Sequence, residues 1–335
     1  MGGLVIKKAY LLASQDAIFE KLVTRFHAIY FFATPHRGSD SAKLLENILK
    51  ITHSSRAYVS DLKRGSSTIR FINEEFRNHS GKMELWSFYE TYKLTVGLFS
   101  ILIVDPDSAT LGYREEQQIP LGADHRSICK FDGLTDPNYV TVRNALALTT
   151  QQVRNQLQQL ETYLGVHENV EDDLILLEDT RMKGTCEWFG FKSSFLTWKS
   201  LEKSGPNVFW VNGKPATGKS VLAGYVVSQL HKTKAGCSFY FFRYGDKSRS
   251  RLSGCLRSLA LQMAWRNAKV RELLLEMQIQ GVRLDSEDER VLWRRLFQPG
   301  ILQAIPEGHY WVIDALDECA SLSLFFDAIL TNLDE

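Results

Sequence analysis

Residues 213–220 read Gly213-Lys214-Pro215-Ala216-Thr217-Gly218-Lys219-Ser220, the pattern GxxxxGK[ST] in full. This string narrows what the chain can fold into more than any other feature. Its glycines let a loop wrap tightly, so that backbone N–H groups point inward at an anion, and a following helix adds its positive N-terminal end. Such a loop works between a strand and a helix. Val208-Phe209-Trp210-Val211 before it reads as a strand, and 221–230 after it as an amphipathic helix. The expectation is an α/β sheet and a site for a nucleoside triphosphate, with Lys219 on the β- and γ-phosphates and Ser220 on Mg²⁺.

The other half of such a site is a carboxylate at the end of a second buried strand. Tyr310-Trp311-Val312-Ile313-Asp314 supplies one, and Asp314 can hold Mg²⁺ opposite Ser220. Asp317 and Glu318 follow at once. Either could orient or deprotonate an attacking water, and either could instead cap the helix that follows, since carboxylates favour a helix N-terminus. ATP and GTP both stay open, because base contacts lie outside the loop.

Around this site, strand-length apolar runs alternate with helical periodicity, which implies a mostly parallel, doubly wound sheet. Residues 4–21 have helical spacing, and 27–33 read as a strand stopped by Thr34-Pro35. Asp40 caps a helical pattern to Leu49, and 83–89 and 99–104 are further strands. Asp136-Pro137 opens one long helix that Gly165 ends. The acidic stretch 168–173 reads as a linker, and 184–203 as a helix. A second series follows: strand 207–211, helix 218–231, strand 237–242, a largely helical 251–302, strand 309–313 and helix 322–333. The domains expected are 1–135, a helix and acidic linker over 136–180, and 181–335.

Composition excludes more than it selects. A net charge of +1 gives no global reason for nucleic acid or an anionic membrane as partner. The cysteines, Cys129, Cys186, Cys237, Cys255 and Cys319, are odd in number and form no CxxC, which argues against a disulfide framework and a zinc site. The apolar stretch 94–104 is too short to span a bilayer, and Lys7 and Lys8 follow the first apolar residues where a signal peptide has its charges first. A cytoplasmic location is the default.

The set GKPATGKS, FYFFRYGDKSR, LRSLALQMA and WVIDALDEC resembles the NACHT-type P-loop domain of fungal STAND proteins, also called the nephrocystin-like N-terminal domain. Arg181 and Gly184-Thr185-Cys186-Glu187-Trp188 resemble its lead-in segment, so the likeness covers about 180–335. It implies that Asp314 is the magnesium residue and that Asp317, ahead of Glu318, is the hydrolytic acid. It further implies an ATP- or GTP-driven signalling switch that self-associates. The family's domain continues past the Walker B helix, and one of its strands lies between the Walker A and Walker B strands. A chain ending at Glu335 lacks that strand, so unpaired backbone is expected beside both sites, with weak or absent hydrolysis.

The first part carries a second resemblance. Met1-Gly2-Gly3-Leu4-Val5-Ile6-Lys7-Lys8-Ala9 looks like the tail of a nucleophile elbow of α/β-hydrolases, as found in serine esterases and lipases that precede NACHT domains. Residues 31–40 and Ser87-Phe88-Tyr89-Glu90-Thr91 resemble the next strands. Val104-Asp105 with Ser108-Ala109 is similar to the segment bearing the triad acid, and 123–131 to the segment bearing its histidine. The resemblance thus assigns Asp105 and His125 to a catalytic triad whose serine would precede Met1. Ser39 and Ser108 sit at no strand-to-helix elbow, and His36 reads as a loop hydrogen-bonder. The fold class expected is a partial α/β-hydrolase sheet followed by a partial P-loop NTPase parallel sheet with flanking helices. Three functions follow: a nucleotide-binding switch with a degenerate hydrolase half, an esterase regulated by the NTPase, or an inactive fragment or interaction scaffold.

Overall fold

A computed structural model describes residues 2–23, 26–37, 67–81, 83–96, 99–166, 169–200, 208–233, 235–284, 288–304 and 309–326. Ser39 and the helical pattern from Asp40 to Leu49 lie outside them. The architecture is mixed α/β, with small parallel and antiparallel sheets flanked by helices. The chain divides into two units, Met1–Val153 and Arg154–Glu335.

Unit 1 opens with α1 (Gly2–Ser14), which buries Leu4, Lys7, Tyr10 and Leu11 at helical spacing. A 3₁₀ turn (Ala17–Phe19) and α2 (Glu20–Val23) follow, so the periodicity expected to residue 21 breaks after Ser14. The strands β1 (Ala28–Phe32) and β2 (Glu84–Glu90) are parallel, with Ala28 opposite Glu84 and Phe32 opposite Phe88. Between them runs α3 (Ser67–Ser80). Side chains alternate across the sheet. Ile29, Phe31 and Leu85 face Tyr10, Leu11 and Phe76 of α1 and α3. Trp86 and Phe88, with Tyr30 and Phe32 packed beside them, face Val142 and Ala145 on the opposite side. Both faces are therefore buried, as a parallel sheet requires.

The run 99–104 was expected to be a strand. Only β4 (Phe99–Ile101) is one, paired antiparallel with β3 (Leu94–Val96). The amides of Ile103 and Val104 go to a carboxylate instead of a ladder, as described below. After α4 (Pro106–Ala109), a third parallel strand, β5 (Gln117–Leu121), pairs with β2. Nothing in Gln117-Gln118-Ile119-Pro120-Leu121 alternates clearly. A sheet edge accepts both the exposed glutamines and Pro120, because the outer N–H groups need no partner strand. The helix α5 (Pro137–Leu164) begins as expected, with Asp136 Oδ1 accepting from the Asn138 amide at 2.7 Å and Pro137 in the first turn.

In unit 2 the acidic stretch read as a linker is helical from Val170 on. Asn169 caps α6 (Val170–Thr180), and Glu171, Asp172 and Asp173 occupy its first turn, where the helix dipole favours them. Two short helices follow, α7 (Glu187–Gly190) and α8 (Ser193–Ser200), burying Phe189 and Phe195. Residues 208–214 form no strand, which differs from the expectation for 207–211; Val208 and Trp210 are exposed. Among the described residues this segment has no ladder partner, and apolar composition alone does not make a strand without one. The helix α9 (Lys219–Lys232) then leads to β6 (Cys237–Phe241), buried along its length. One edge of β6 pairs in parallel with β7 (Tyr310–Asp314), with Phe241 opposite Asp314. On its other edge Gln262 stands in for a strand, accepting from the Phe239 amide at 2.9 Å and donating to its carbonyl at 2.8 Å. Gln262 belongs to α10 (Leu252–Arg266), which packs with α11 (Ala268–Ile279) and α12 (Glu289–Leu296).

Candidate functional site

Two places gather the residues singled out above, one in each unit. In unit 1 the centre is His125, in the turn that follows β5. Its Nδ1 lies 2.7 Å from Oε2 of Glu90, the last residue of β2. Glu90 is 1% exposed, and its other oxygen accepts from the amides of Ile103 at 2.7 Å and Val104 at 2.9 Å. A carboxylate only accepts, so Nδ1 carries the imidazole proton and Nε2 is left as the basic nitrogen. That is the orientation a general base needs.

The resemblance assigned the acid to Asp105. The structure puts Asp105 elsewhere: it caps α4, accepting from the Ser108 amide at 3.0 Å and the Ser108 hydroxyl at 2.9 Å. Ser108 is itself fully buried. Glu90 was legible as a polar residue closing an apolar strand, the place where a parallel sheet presents functional groups. What the sequence lacked was the pairing, because Glu90 and His125 are far apart along the chain.

His36, read as a loop hydrogen-bonder, bonds through its backbone only. Its amide donates to Thr34 at 2.8 Å and to Ser108 at 2.6 Å. The ring is buried against the edge of Phe31, with no partner on either nitrogen among the described residues. Burial holds its pKa well below the ordinary imidazole value, with Lys7, the N-terminus and Arg37 adding to the shift. Nearby, Lys7 is fully buried and its Nζ donates to Asn73 Oδ1 at 2.6 Å. Desolvation lowers its pKa from 10.5 to about 7, against the pull of Glu116.

In unit 2, residues 213–218 form an exposed loop that feeds α9. Gly218 takes φ +84° and Ala216 φ +61°, so the backbone turns left-handed twice just before the helix. Lys219 reaches back over the loop, donating through Nζ to the carbonyls of Gly213 at 2.8 Å and Lys214 at 3.1 Å. Thr217 Oγ1 donates to the Lys214 carbonyl at 2.8 Å. Lys219 also lines a cavity of about 360 Å³, together with Gly213, Asp314 and Asp317 and with aromatic walls including Phe209 and Trp311. Lys214, Pro215, Ala216, Thr217, Gly218 and Ser220 do not line it, and neither does Glu318, whose Oε2 accepts from the Tyr244 amide at 2.6 Å. Among the described residues no group of three or more His, Cys, Asp or Glu converges as a metal site, and no helix is long and apolar enough to cross a membrane.

Known proteins resemble the chain in two respects. A family model described as Nephrocystin 3, N-terminal, matches residues 184–335. Protein SERAC1 of Danio rerio is 34% identical over 133 residues, 39% of this chain and 20% of that protein. Protein SERAC1 of Bos taurus is 30% identical and that of Homo sapiens 29% identical over the same length and shares. The chain thus spans about a fifth of the length of the curated relatives it matches. No solved structure matches it significantly.

Proposed function

We propose that unit 1 carries the acid–base pair of a serine-esterase-type hydrolase acting on carboxylic esters. The observation that carries this reading is the buried Glu90 carboxylate bonded to His125 Nδ1 at 2.7 Å. The resemblance of residues 1–9 to the elbow segment of α/β-hydrolases supports it. In this role His125 takes a proton through Nε2 from a hydroxyl nucleophile, and Glu90 steadies the imidazolium that results. The nucleophile of the resembling hydrolases is a serine at the elbow before α1. The test is turnover of p-nitrophenyl butyrate by a protein in which the elbow serine stands ahead of α1. His125→Ala is expected to lower it at least ~100-fold, the lower bound for a positioned general base. Equal turnover by both proteins, or none above buffer, sinks the reading.

A second reading has its own observation. Gly213, Lys219, Asp314 and Asp317 surround one cavity, and Lys219 Nζ rests on loop carbonyls from which a stronger anionic acceptor could draw it. We propose that unit 2 binds a magnesium nucleoside triphosphate on the 213–220 loop, with Gly213, Lys219 and Asp314 shared between that loop site and the cavity, as a STAND-type switch whose occupancy governs unit 1 and self-association. The residues fit the group in donor type: loop amides and Lys219 for phosphate, Ser220 and Asp314 for Mg²⁺, and Asp317 for water. Bound nucleotide would supply the phosphoanhydride whose state sets the switch. Labelled Mg-ATP and Mg-GTP should bind the wild type, and Lys219→Ala should weaken binding ~100-fold or more, as loss of a charged phosphate contact implies. Equal binding by both proteins rules the site out.

A further inference from the structure

The acid turn after β7 is held by more than its own strand. Asp314, Ala315, Leu316, Asp317 and Glu318 pass through a left-handed residue, Ala315 at φ +52°, which a side chain with a Cβ disfavours. Such a conformation persists only where neighbours over-determine it. Here the neighbour is the loop after β6, residues 242–250. The Phe242 amide donates to the Asp314 carbonyl at 3.2 Å, and the Ala320 amide to the Ser250 carbonyl at 2.8 Å. Between these two bonds, the Tyr244 amide donates to Glu318 Oε2 at 2.6 Å.

The loop is itself anchored. Asp246 accepts from the amides of Ser248 at 3.0 Å and Arg249 at 3.3 Å. Arg249 then reaches the buried Asp173 of α6 at 2.5 Å, and Arg243 bonds the same carboxylate. The helix α6 lies against α9, with Leu177 so close to Gly224 that a Cβ there would approach it to 3.1 Å, and with Ser228 donating to Glu178. Since α9 starts at Lys219, the acid turn and the P-loop helix are joined through this loop and α6.

We propose that Glu318 is a positioning residue of the nucleotide site, its carboxylate fixing the acid turn on the 242–250 loop so that Asp314 and Asp317 face the cavity. This rests on the nucleotide-binding reading of unit 2. Glu318 is spent on a backbone amide and does not line the cavity, whereas Asp317 does. The two acids that the sequence left equivalent therefore have different work.

Glu318→Ala and Glu318→Gln in the full chain test this, with amide exchange over 243–250 and Mg-ATP affinity and turnover as readouts. Glu318→Ala is expected to speed exchange at Tyr244 and weaken Mg-ATP binding, each roughly 10-fold, the scale of one hydrogen bond to a charged group. Glu318→Gln should recover most of both, because its Oε1 can still accept from the Tyr244 amide. If Glu318→Gln binds Mg-ATP normally but loses turnover, Glu318 is the water-activating acid and the proposal fails. Unchanged exchange in Glu318→Ala also overturns it. Should no protein bind nucleotide, wild type included, the reading of the cavity falls, and the exchange result still decides whether Glu318 holds the turn.

Discussion

Glu90→Gln should leave the fold of unit 1 in place and lower ester turnover by about 10⁴-fold, the scale seen when a triad carboxylate becomes an amide. The amide oxygen can take over the two bonds from Ile103 and Val104, so the turn after β4 keeps its anchor. The amide nitrogen then faces His125, 2.7 Å away in the native pairing, and must donate to Nδ1. The ring proton is driven to Nε2, the nitrogen that has to be free for a base to work. Nitrogen-15 shifts of His125 read the tautomer directly, whatever the rate of turnover. A native tautomer in Glu90→Gln would show that Glu90 does not set the ring's protonation. Glu90→Ala is a different experiment. It removes the shared acceptor of two backbone amides, at about 1–3 kcal/mol for a bond lost at a buried site, so a loss of activity there could be a loss of structure.

The second large effect concerns Lys7 and pH. Its pKa is about 7 in the folded chain against 10.5 for a free side chain, because burial penalises the ammonium more than Glu116 favours it. Between these values the unfolded chain holds a proton that the folded chain has released. Stability must therefore rise with pH across this window, by up to about 1.4 kcal/mol per pH unit and on the order of 5 kcal/mol in all. Below pH 7 both states are protonated and Lys7 adds no slope. His36, whose folded pKa lies below its ordinary value, adds a rise of the same sign at lower pH, up to about 6.5. Tyr113 opposes at the alkaline end. Its pKa is raised from 10 to about 12, so the folded state keeps a proton that the unfolded state loses, and stability falls there. The urea midpoint of unit 1, followed through its methyl resonances in the full chain, should climb from pH 7 to about 10. Lys7→Met should flatten that climb, at the expense of one unpaired Asn73 oxygen. An equal climb in both proteins would place the proton release on some other group.

Much of the fold was written in local patterns. The strands at Ala28–Phe32, Glu84–Glu90, Cys237–Phe241 and Tyr310–Asp314 are short runs dominated by apolar and aromatic residues, the composition expected of parallel strands. The long helix announced itself through Asp136-Pro137 and Gly165, both of which act within a few residues. Elements that depend on a distant neighbour were read differently. Residues 207–211 look like a strand, and among the described residues 208–211 have no strand beside them. Gln117–Leu121 does not look like one, and is a strand because β2 offers it an edge. The acidic run 168–173 has the charge density of a linker, yet Asn169 caps α6 and the carboxylates of Glu171, Asp172 and Asp173 favour its start.

The candidate sites divide along the same line. By itself the sequence determined the tight glycine-bearing loop of 213–218, the helix that follows it and the apolar strand ending in Asp314, since each rests on residues adjacent in the chain. Only the tertiary structure decided that His125 answers to Glu90 while Asp105 caps a helix, and that Asp317 faces a cavity while its neighbour Glu318 holds a loop. A carboxylate's chemistry is the same wherever it stands in a sequence. What it does is set by which donors the folded chain brings within about 3 Å of it, and those donors lie up to 76 residues away.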